Sequence, residues 1–201
     1  MPLEDYRLKR KFTETPEPAG RPRRNSKRRI FVVQKHAASR LHYDVRLAIN
    51  GVLVSWAVPK GPSMNPAEKR LAIRTEDHPL EYAEFEGVIP QGQYGAGTVM
   101  VWDTGSYEPL DGNPPSKQLA RGKIDVVLHG TKLRGGFTLV RTGMASQKER
   151  WLLVKHRDAY ADPSWDIESP RLDRSALTGR SLIEIENDRP RKMPRLGHAH
   201  L

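Results

Sequence analysis

The chain has 201 residues, with 34 Lys and Arg against 24 Asp and Glu and no Cys. Without Cys, the sequence excludes a disulfide framework, a thiolate nucleophile and a Cys-ligated zinc site, so any metal must be held by His and carboxylate ligands. No stretch approaches the roughly 20 apolar residues of a membrane span, and a cytoplasmic location is therefore the expectation.

The net charge of +10 is concentrated at the two ends of the chain. Residues 1–30 carry +6 and residues 187–201 carry +3, which leaves +1 for residues 31–186. Basic arms on a nearly neutral body are typical of proteins with polyanionic partners, because each Lys or Arg placed on a phosphate releases condensed counterions. They are equally typical of solubilising tails, so charge alone leaves both interpretations open.

The first of these arms includes the stretch Pro16–Arg29, which has no hydrophobic period and too many prolines for a helix. It predicts an extended basic arm. Beyond it, a β-branched run starts at Ile30, and His42–Ile49 alternates between two faces. One face holds Tyr43, Val45, Leu47 and Ile49, and the other holds His42, Asp44, Arg46 and Ala48. This period predicts a half-buried strand.

Asn50-Gly51 separates that strand from the run Val52–Val58, which is a strong hairpin signal. Further strands are predicted at Arg70–Arg74, Thr98–Trp102, Ile124–Leu128, Phe137–Arg141 and Trp151–Lys155. Short helices are predicted at Ser116–Arg121 and within Ala176–Ile185. About eight strands and repeated Gly or Pro turns favour a mainly β fold, an antiparallel barrel or closed sandwich.

The polar face of the strand at His42 has the composition of a metal site. His42 and Asp44 lie about 6.6 Å apart along one face, and a short turn could bring His36 back beside His42. Two imidazoles and one carboxylate suit Mn²⁺, Fe²⁺ or Zn²⁺ with positions left open for water or substrate. The same side chains could instead be solvated on the outward face of an amphipathic strand.

Cations close to these residues are of the kind that hold a phosphate. Arg46 follows Asp44 on the same face, and Lys60 and Arg70 come after the next strand and at the start of the following one. His78, in the turn Glu76–Pro79, could stabilise a transition state or protonate a leaving oxygen. Alternatively, it is a loop His bonded to the backbone.

The glycine-rich loop Gly92–Gly97 lacks the Gly-x₄-Gly-Lys-Ser/Thr form of a phosphate-binding loop, and no helix pattern follows it. We interpret it as a turn that leads into the strand at Thr98. The tryptophans at positions 56, 102 and 151 lie in strand patterns, which predicts core packing for them.

Four blocks of the sequence resemble the 3'-phosphoesterase module of bacterial DNA ligase D, which also occurs as a stand-alone protein. They are Phe31–Leu47, Ser55–Ser63, Glu76–Val99 and Trp151–Asp158, and the resemblance covers roughly residues 5–160. It implies a compact antiparallel β-barrel over residues 31–186. With Mn²⁺, or with Co²⁺, Zn²⁺ or another divalent transition metal, this module would remove a 3'-terminal ribonucleotide and then the 3'-phosphate to leave a 3'-hydroxyl.

The resemblance also implies roles for individual residues. His36, His42 and Asp44 would bind the metal, and the catalytic contacts to the scissile phosphate would come from Arg46, Arg70 and His78. Substrate-binding residues would be Arg10, Glu17, Lys60, Glu76 and Tyr82. The basic segment 1–30 would pack partly near the site, and 187–201 would be a disordered basic tail. Lys11 stands where the family has Asp, which removes a carboxylate that could pair with a neighbouring Arg.

The partners implied are DNA or RNA-tipped DNA 3' ends in nonhomologous end joining, with the polymerase and ligase modules of ligase D and the Ku protein as further candidates. The chain is expected to be a monomer that does not bind membranes. Two other functions remain open on the residues alone. They are a non-catalytic DNA-binding module of a repair complex and a cupin-type non-haem iron oxygenase.

Overall fold

The structure, a computed structural model, describes residues 3–20, 29–145 and 147–188. Ten strands follow one another in these residues. They are β1 (Ile30–Ala37), β2 (Leu41–Ile49), β3 (Val52–Val58), β4 (Lys69–Arg74), β5 (His78–Pro79), β6 (Gly87–Ile89), β7 (Gly97–Pro109), β8 (Lys123–Gly130), β9 (Arg134–Ala145) and β10 (Lys148–Lys155).

Eight of these strands form a closed antiparallel barrel. The order β1-β2-β3-β4-β10-β9-β8-β7 ends on a strand that pairs again with β1, so the sheet has no free edge there. β6 pairs with β7 beyond the closure, and β5 is a two-residue bridge to β3. The predicted mainly β barrel is confirmed, although β5 and β6 were not predicted because neither contains enough residues to show a period.

The helices are short: α1 (Glu4–Leu8), α2 (Pro115–Arg121) and α3 (Leu182–Glu186), with 3-10 helices at Leu80–Glu84 and Pro170–Leu172. The sequence predicted α2 and the region of α3 but not α1. Within the described ranges, no helix has the length and apolar character needed to cross a membrane.

The hairpin between β2 and β3 forms as the Asn-Gly signal predicts. Ile49 pairs with Val52, and the two intervening residues have φ values of 51° and 84°. Two consecutive positive φ values are the mark of a type I′ turn, whose twist matches that of the flanking strands. The turn therefore fixes the register that later places Ser55 opposite Arg46.

The barrel interior is apolar and aromatic. Trp56, Trp102 and Trp151 are completely buried, which confirms their prediction as core residues. The rings of Trp56 and Trp151 meet edge to face at 5.6 Å, and those of Tyr43 and Trp102 at 5.4 Å, a favoured arrangement for aromatic pairs.

A second apolar cluster lies outside the barrel, over β1, β2 and β3. We call the elements that cover this face the covering layer: the N-terminal segment 3–20 and the 3-10 helix Leu80–Glu84. Their buried side chains include Tyr6 and Tyr82, and these pack over Val32 and Leu53 of the barrel. The prediction of a half-buried strand is therefore wrong for β2, because Asp44 and Arg46 lie under this layer and are 7% and 3% exposed.

The predicted basic ends fall largely outside the described residues. This holds for the arginine-rich positions 21–28 and for the C-terminal tail apart from residues 187 and 188. The first part of the predicted arm, up to Gly20, is described, and Glu17 within it is only 4% exposed. That portion packs against the barrel.

Candidate metal and phosphate site

The hairpin of β1 and β2 brings together the three predicted metal ligands. In its register His36 pairs with His42, and Asp44 is two residues further along β2 on the same face. Asp44 Oδ2 lies 3.7 Å from His36 Nδ1 and 3.7 Å from His42 Nε2. The three ligand atoms all lie within 4.8 Å of one another.

Backbone carbonyl groups fix the tautomer of each imidazole. His36 Nε2 is 2.9 Å from the Gly95 carbonyl oxygen, and His42 Nδ1 is 2.9 Å from that of Arg40. Because a carbonyl oxygen can only accept, these nitrogens carry the protons in the neutral rings. The opposite nitrogens, the two nearest to Asp44, therefore keep their lone pairs for a metal, as second-shell hydrogen bonds commonly arrange.

The donor set fits a divalent transition metal. Donor atoms about 2.1 Å from one ion can be at most about 4.2 Å apart, and the carboxylate oxygen meets this condition with both imidazoles. Burial alone would raise the pKa of Asp44, but the Arg46 guanidinium and the two imidazoles outweigh it and hold that pKa well below its usual range. Asp44 is therefore an ionised carboxylate at any pH at which the two histidines are neutral and can bind a metal.

Arg46 is held rigidly beside this carboxylate. Its Nε donates to Gln34 Oε1 at 2.8 Å, Nη1 donates to Ser55 Oγ at 2.8 Å, and Nη2 donates to Asp44 Oδ2 at 3.2 Å. Among the described residues Nη2 donates only to Asp44, so its second hydrogen remains for a ligand. A guanidinium fixed in this way is suited to bind a phosphoryl oxygen.

His78 lies between two guanidinium groups. Its Nδ1 is 2.9 Å from the Glu76 carbonyl oxygen and 3.0 Å from Arg46 Nη1, while Nε2 is 3.4 Å from Arg10 Nη2. Burial, followed by the charges of Arg46 and Arg10, holds the pKa of His78 well below its usual value. This shift favours the neutral imidazole, which has no imidazolium proton to deliver, so protonation of a leaving oxygen by His78 stays a prediction that the surroundings do not favour.

The covering layer supplies a buried network of opposite charges. Arg10 Nε donates to Glu17 Oε1 at 2.8 Å, and Arg10 Nη1 lies 3.3 Å from Glu76 Oε1. The Tyr82 hydroxyl donates to the same Glu17 oxygen at 3.1 Å. The four substrate-binding residues predicted from the resemblance, other than Lys60, are thus gathered at one place.

All of these residues except Glu17 line a cavity of about 270 Å³ together with the three candidate ligands. Lys60 and Arg70 do not. They line a separate cavity of about 360 Å³ with Glu68 and Lys69. The structure therefore does not bring Arg70 to the candidate ligands as the sequence interpretation expected.

The strand period explains the position of Arg70. Across the sheet Asp44 pairs with Ala57, which pairs with Ile73, so these three share the outer face. Arg70 is three residues from Ile73 and therefore lies on the opposite face, where its Nη2 donates to Glu68 Oε2 at 2.5 Å. A contact between Arg70 and a phosphate at the metal remains a prediction that the geometry does not support.

Lys11, which replaces the family's Asp, does not disturb this network. Its side chain is 73% exposed and lies 3.7 Å from Glu14. Arg10 finds its carboxylates in Glu17 and Glu76 instead. The N-terminal segment packs over the site with a cation at this position.

Several residues that build the site were not predicted. Gln34 and Ser55 orient Arg46, and Tyr6 packs its ring 3.9 Å from the Arg10 guanidinium carbon. The strand period places Gln34 on the face of His36, and the hairpin register places Ser55 opposite Arg46, so both could have been found. Nothing in the sequence connects Gly95 with His36.

The loop that carries Gly95 depends on the close approach of Gly97 to β1. Gly97 has a φ of 139°, and a Cβ at this position would lie 2.3 Å from the Ala37 carbonyl oxygen. Only Gly fits there. The loop interpreted as a simple turn is therefore packed against the hairpin of β1 and β2, which carries the three candidate ligands. It also supplies the carbonyl that sets the His36 tautomer.

Comparison with known proteins gives a consistent result. Residues 34–141 match the family described as the DNA Ligase D 3'-phosphoesterase domain. The chain is 50% identical over 186 residues to the Multifunctional non-homologous end joining protein LigD of Pseudomonas aeruginosa, which is 90% of this chain and 22% of that protein.

Two further relatives are similar over most of the chain. The protein of the same name from Mycolicibacterium smegmatis is 44% identical over 162 residues, 78% of this chain and 21% of that protein. The Multifunctional non-homologous end joining DNA repair protein LigD of Mycobacterium tuberculosis is 46% identical over 153 residues, 75% of this chain and 19% of that protein. The chain spans about a fifth of the length of these curated relatives.

Proposed function

Because this chain belongs to the DNA ligase D 3'-phosphoesterase domain family, we propose that it is a metal-dependent hydrolase that heals DNA 3' ends. It removes a 3'-terminal ribonucleotide and then the 3'-phosphate, and it leaves a 3'-hydroxyl that a polymerase or ligase can use. The observation that carries the proposal is the set of two imidazoles and one carboxylate beside a fixed Arg46.

His36, His42 and Asp44 would hold the metal, with Mn²⁺ as the first candidate and Co²⁺ or Zn²⁺ as alternatives. When bound, such an ion supplies Lewis-acid polarisation of a phosphoryl oxygen. The protein holds the imidazoles in the ligating tautomer through Gly95 and Arg40, so binding requires no change of tautomer.

The cations of the cavity bind and orient the phosphate. Arg46 cannot swing away, because Gln34, Ser55 and Asp44 hold three of its nitrogens. Positive charge already in place where negative charge develops needs no reorganisation during the reaction. These cations favour a phosphate ester over the small organic substrate of a cupin-type oxygenase.

His78 acts here as a neutral imidazole. Its lone pair can accept a proton or a hydrogen bond, and the guanidiniums on both sides disfavour the imidazolium form. Because Nδ1 faces the Glu76 carbonyl oxygen, that nitrogen carries the proton, and the lone pair at Nε2 faces Arg10 Nη2. We therefore assign His78 the role of holding Arg10 in place beside the phosphate by accepting its hydrogen bond.

The relatives named for non-homologous end joining suggest the biological setting. A chain that heals 3' ends would act on primer-templates at double-strand breaks, before polymerase and ligase modules extend and seal them. The Ku end-binding protein is a further candidate partner in that process.

The experiment that tests the proposal is release of inorganic phosphate from a primer-template ending in a 3'-phosphate, with a panel of divalent metals. A second substrate ends in one ribonucleotide. We expect metal-dependent release from the first and ribonucleotide removal from the second. DNA binding with no release under any metal would favour a non-catalytic DNA-binding module instead.

A further inference from the structure

One aromatic side chain at the mouth of the candidate cavity has no role in the mechanism above. Tyr94 lies in the glycine-rich loop and lines the cavity with the three candidate ligands. It is 45% exposed. The next residue, Gly95, accepts a hydrogen bond from His36 through its carbonyl oxygen, so the Tyr94 ring is one residue away from a contact with a candidate ligand.

The other tyrosines of the chain differ from Tyr94 in position or burial. Four of them are almost completely buried, and their hydroxyl groups donate to protein acceptors: Tyr6, Tyr43, Tyr82 and Tyr107. Tyr160 is 53% exposed but lines another cavity with His129 and Arg134. Tyr94 is thus the one tyrosine that is both open to solvent and placed at the candidate site.

Two cations accompany the ring. Lys9 Nζ lies 5.0 Å from the ring centroid and Arg10 Cζ lies 5.4 Å from it. Lys9 also lies 3.2 Å from Glu76 Oε2 and keeps 39% of its side chain exposed. An aromatic face beside cations is the combination by which proteins bind single-stranded nucleic acid, with the ring under a base and the cations on the backbone.

We propose that Tyr94 is the stacking platform for the base of the nucleotide that carries the 3'-phosphate, with Lys9 beside its backbone phosphate. The inference rests on the proposed function, because it assumes that the phosphate occupies the cavity beside Arg46. Every base has a π face, so the contact is independent of sequence. The contact lets the enzyme bind a nucleotide more tightly than a free phosphate or a sugar phosphate, which have no base to stack.

The test combines a change in the protein with a change in the DNA. The variants are Tyr94→Leu and Tyr94→Phe, and the control is Tyr160→Leu, the same change at a similarly exposed tyrosine away from the site. Each protein is assayed on primer-templates whose 3'-phosphate follows either a normal nucleotide or an abasic one. Binding of the same DNA ends is measured by fluorescence anisotropy, and Mn²⁺ affinity is measured by calorimetry.

Loss of one base–aromatic stack corresponds to a rise in KM of between about 5-fold and 150-fold. We expect this rise for Tyr94→Leu on the normal end, with kcat and Mn²⁺ affinity unchanged. Tyr94→Phe and Tyr160→Leu should keep the original KM. The abasic end should weaken binding to the unchanged protein by a similar factor and should have no further effect on Tyr94→Leu.

Two results would overturn the proposal. One is an abasic penalty that persists undiminished in Tyr94→Leu, and the other is a loss of Mn²⁺ affinity in that variant, which would show that the ring only supports the loop. If the unchanged protein binds DNA ends but releases no phosphate, the proposed activity is wrong. The anisotropy measurements then still decide whether Tyr94 stacks on the terminal base.

Discussion

The barrel interior and the covering layer bury side chains equally well but with different chemistry. The interior is built of aromatic and aliphatic residues such as Trp56 and Leu47 that need only contact to be stable there. Within the covering layer, Arg10 and Glu17 keep 4% and 0% of their side-chain surface exposed. Buried charges are tolerable only when they are paired, so the outer face depends on partners brought from distant segments.

Because of that difference, the residues that stabilise the protein are largely separate from those that could bind a ligand. The interior gives the barrel its free energy of folding through apolar burial. The outer face holds the groups that could bind a metal and a phosphate, at some cost in desolvation. Neighbouring residues of β2 therefore face either the apolar interior or the candidate site. Substitutions on one face should change the free energy of unfolding, and those on the other should change metal binding.

The largest effect is expected for His42→Ala on the outer face. Removing one of three ligands should abolish Mn²⁺ binding and turnover, measured by calorimetry and phosphate release. His42 is only partly buried, with 24% of its side chain exposed, so the free energy of unfolding should change little. Turnover comparable to that of the unchanged protein at saturating Mn²⁺ would contradict the ligand assignment.

The adjacent substitution, Tyr43→Ala, should have the opposite character. Tyr43 is 2% exposed and packs edge to face on Trp102, so truncation should cost about 3–5 kcal/mol of unfolding free energy. Urea unfolding followed by tryptophan fluorescence measures this cost. At a temperature where the variant remains folded, Mn²⁺ affinity should be retained, and a stability near that of the unchanged protein would show that this face is not core.

Glu17→Gln tests whether the covering layer folds with the barrel or docks on it. The substitution removes the charge that Arg10 and Tyr82 share, and breaking such a buried pair costs at most about 3–5 kcal/mol. Because residues 3–20 contribute no strand to the barrel, we expect faster amide exchange in this segment alone. Protection lost equally across β8 and β9 would contradict a separately docking layer.

The matched control is Glu14→Gln. The same substitution three residues away changes an exposed carboxylate whose ion pair with Lys11 spans 3.7 Å. Its Oε2 also accepts from Gln93 Nε2 at 2.7 Å, a hydrogen bond that the amide oxygen of Gln can keep. Exposed pairs contribute between zero and about 1 kcal/mol. Amide exchange in residues 3–20 should therefore stay as in the unchanged protein.

The smallest expected effect is a pH dependence of metal affinity. Burial would lower the pKa of His42, but its hydrogen bond and attraction to Asp44 outweigh burial and raise that pKa above its usual value. Since an imidazolium has no lone pair for a metal, affinity should fall about tenfold per pH unit below the raised pKa and level off above it. Calorimetric Mn²⁺ titrations between about pH 5 and 8 measure this, and constant affinity throughout would contradict it.

The sequence predicted the barrel interior better than the covering layer, for a physical reason. The alternation in His42–Ile49 and the Asn-Gly turn are local patterns, and they predicted β2, β3 and a common face for His42 and Asp44 correctly. The burial of Asp44 and Arg46 depends on residues 3–20, whose packing leaves no period in the strand it covers. Arg70 was misplaced for a related reason: its position in the chain showed a nearby cation but not the face of the sheet on which it lies.

The closure of the barrel has a consequence for how the protein folds. All three candidate ligands lie between residues 36 and 44 on a single hairpin, whereas β1 completes the barrel by pairing with β7, which begins at Gly97. Pairing close in sequence is fast, and pairing between distant strands is slowed by the entropy of closing the intervening loop. We therefore expect the hairpin of β1 and β2 to form before β1 pairs with β7. Mn²⁺ added during refolding should then change the rate of hairpin formation but not the rate at which the barrel closes.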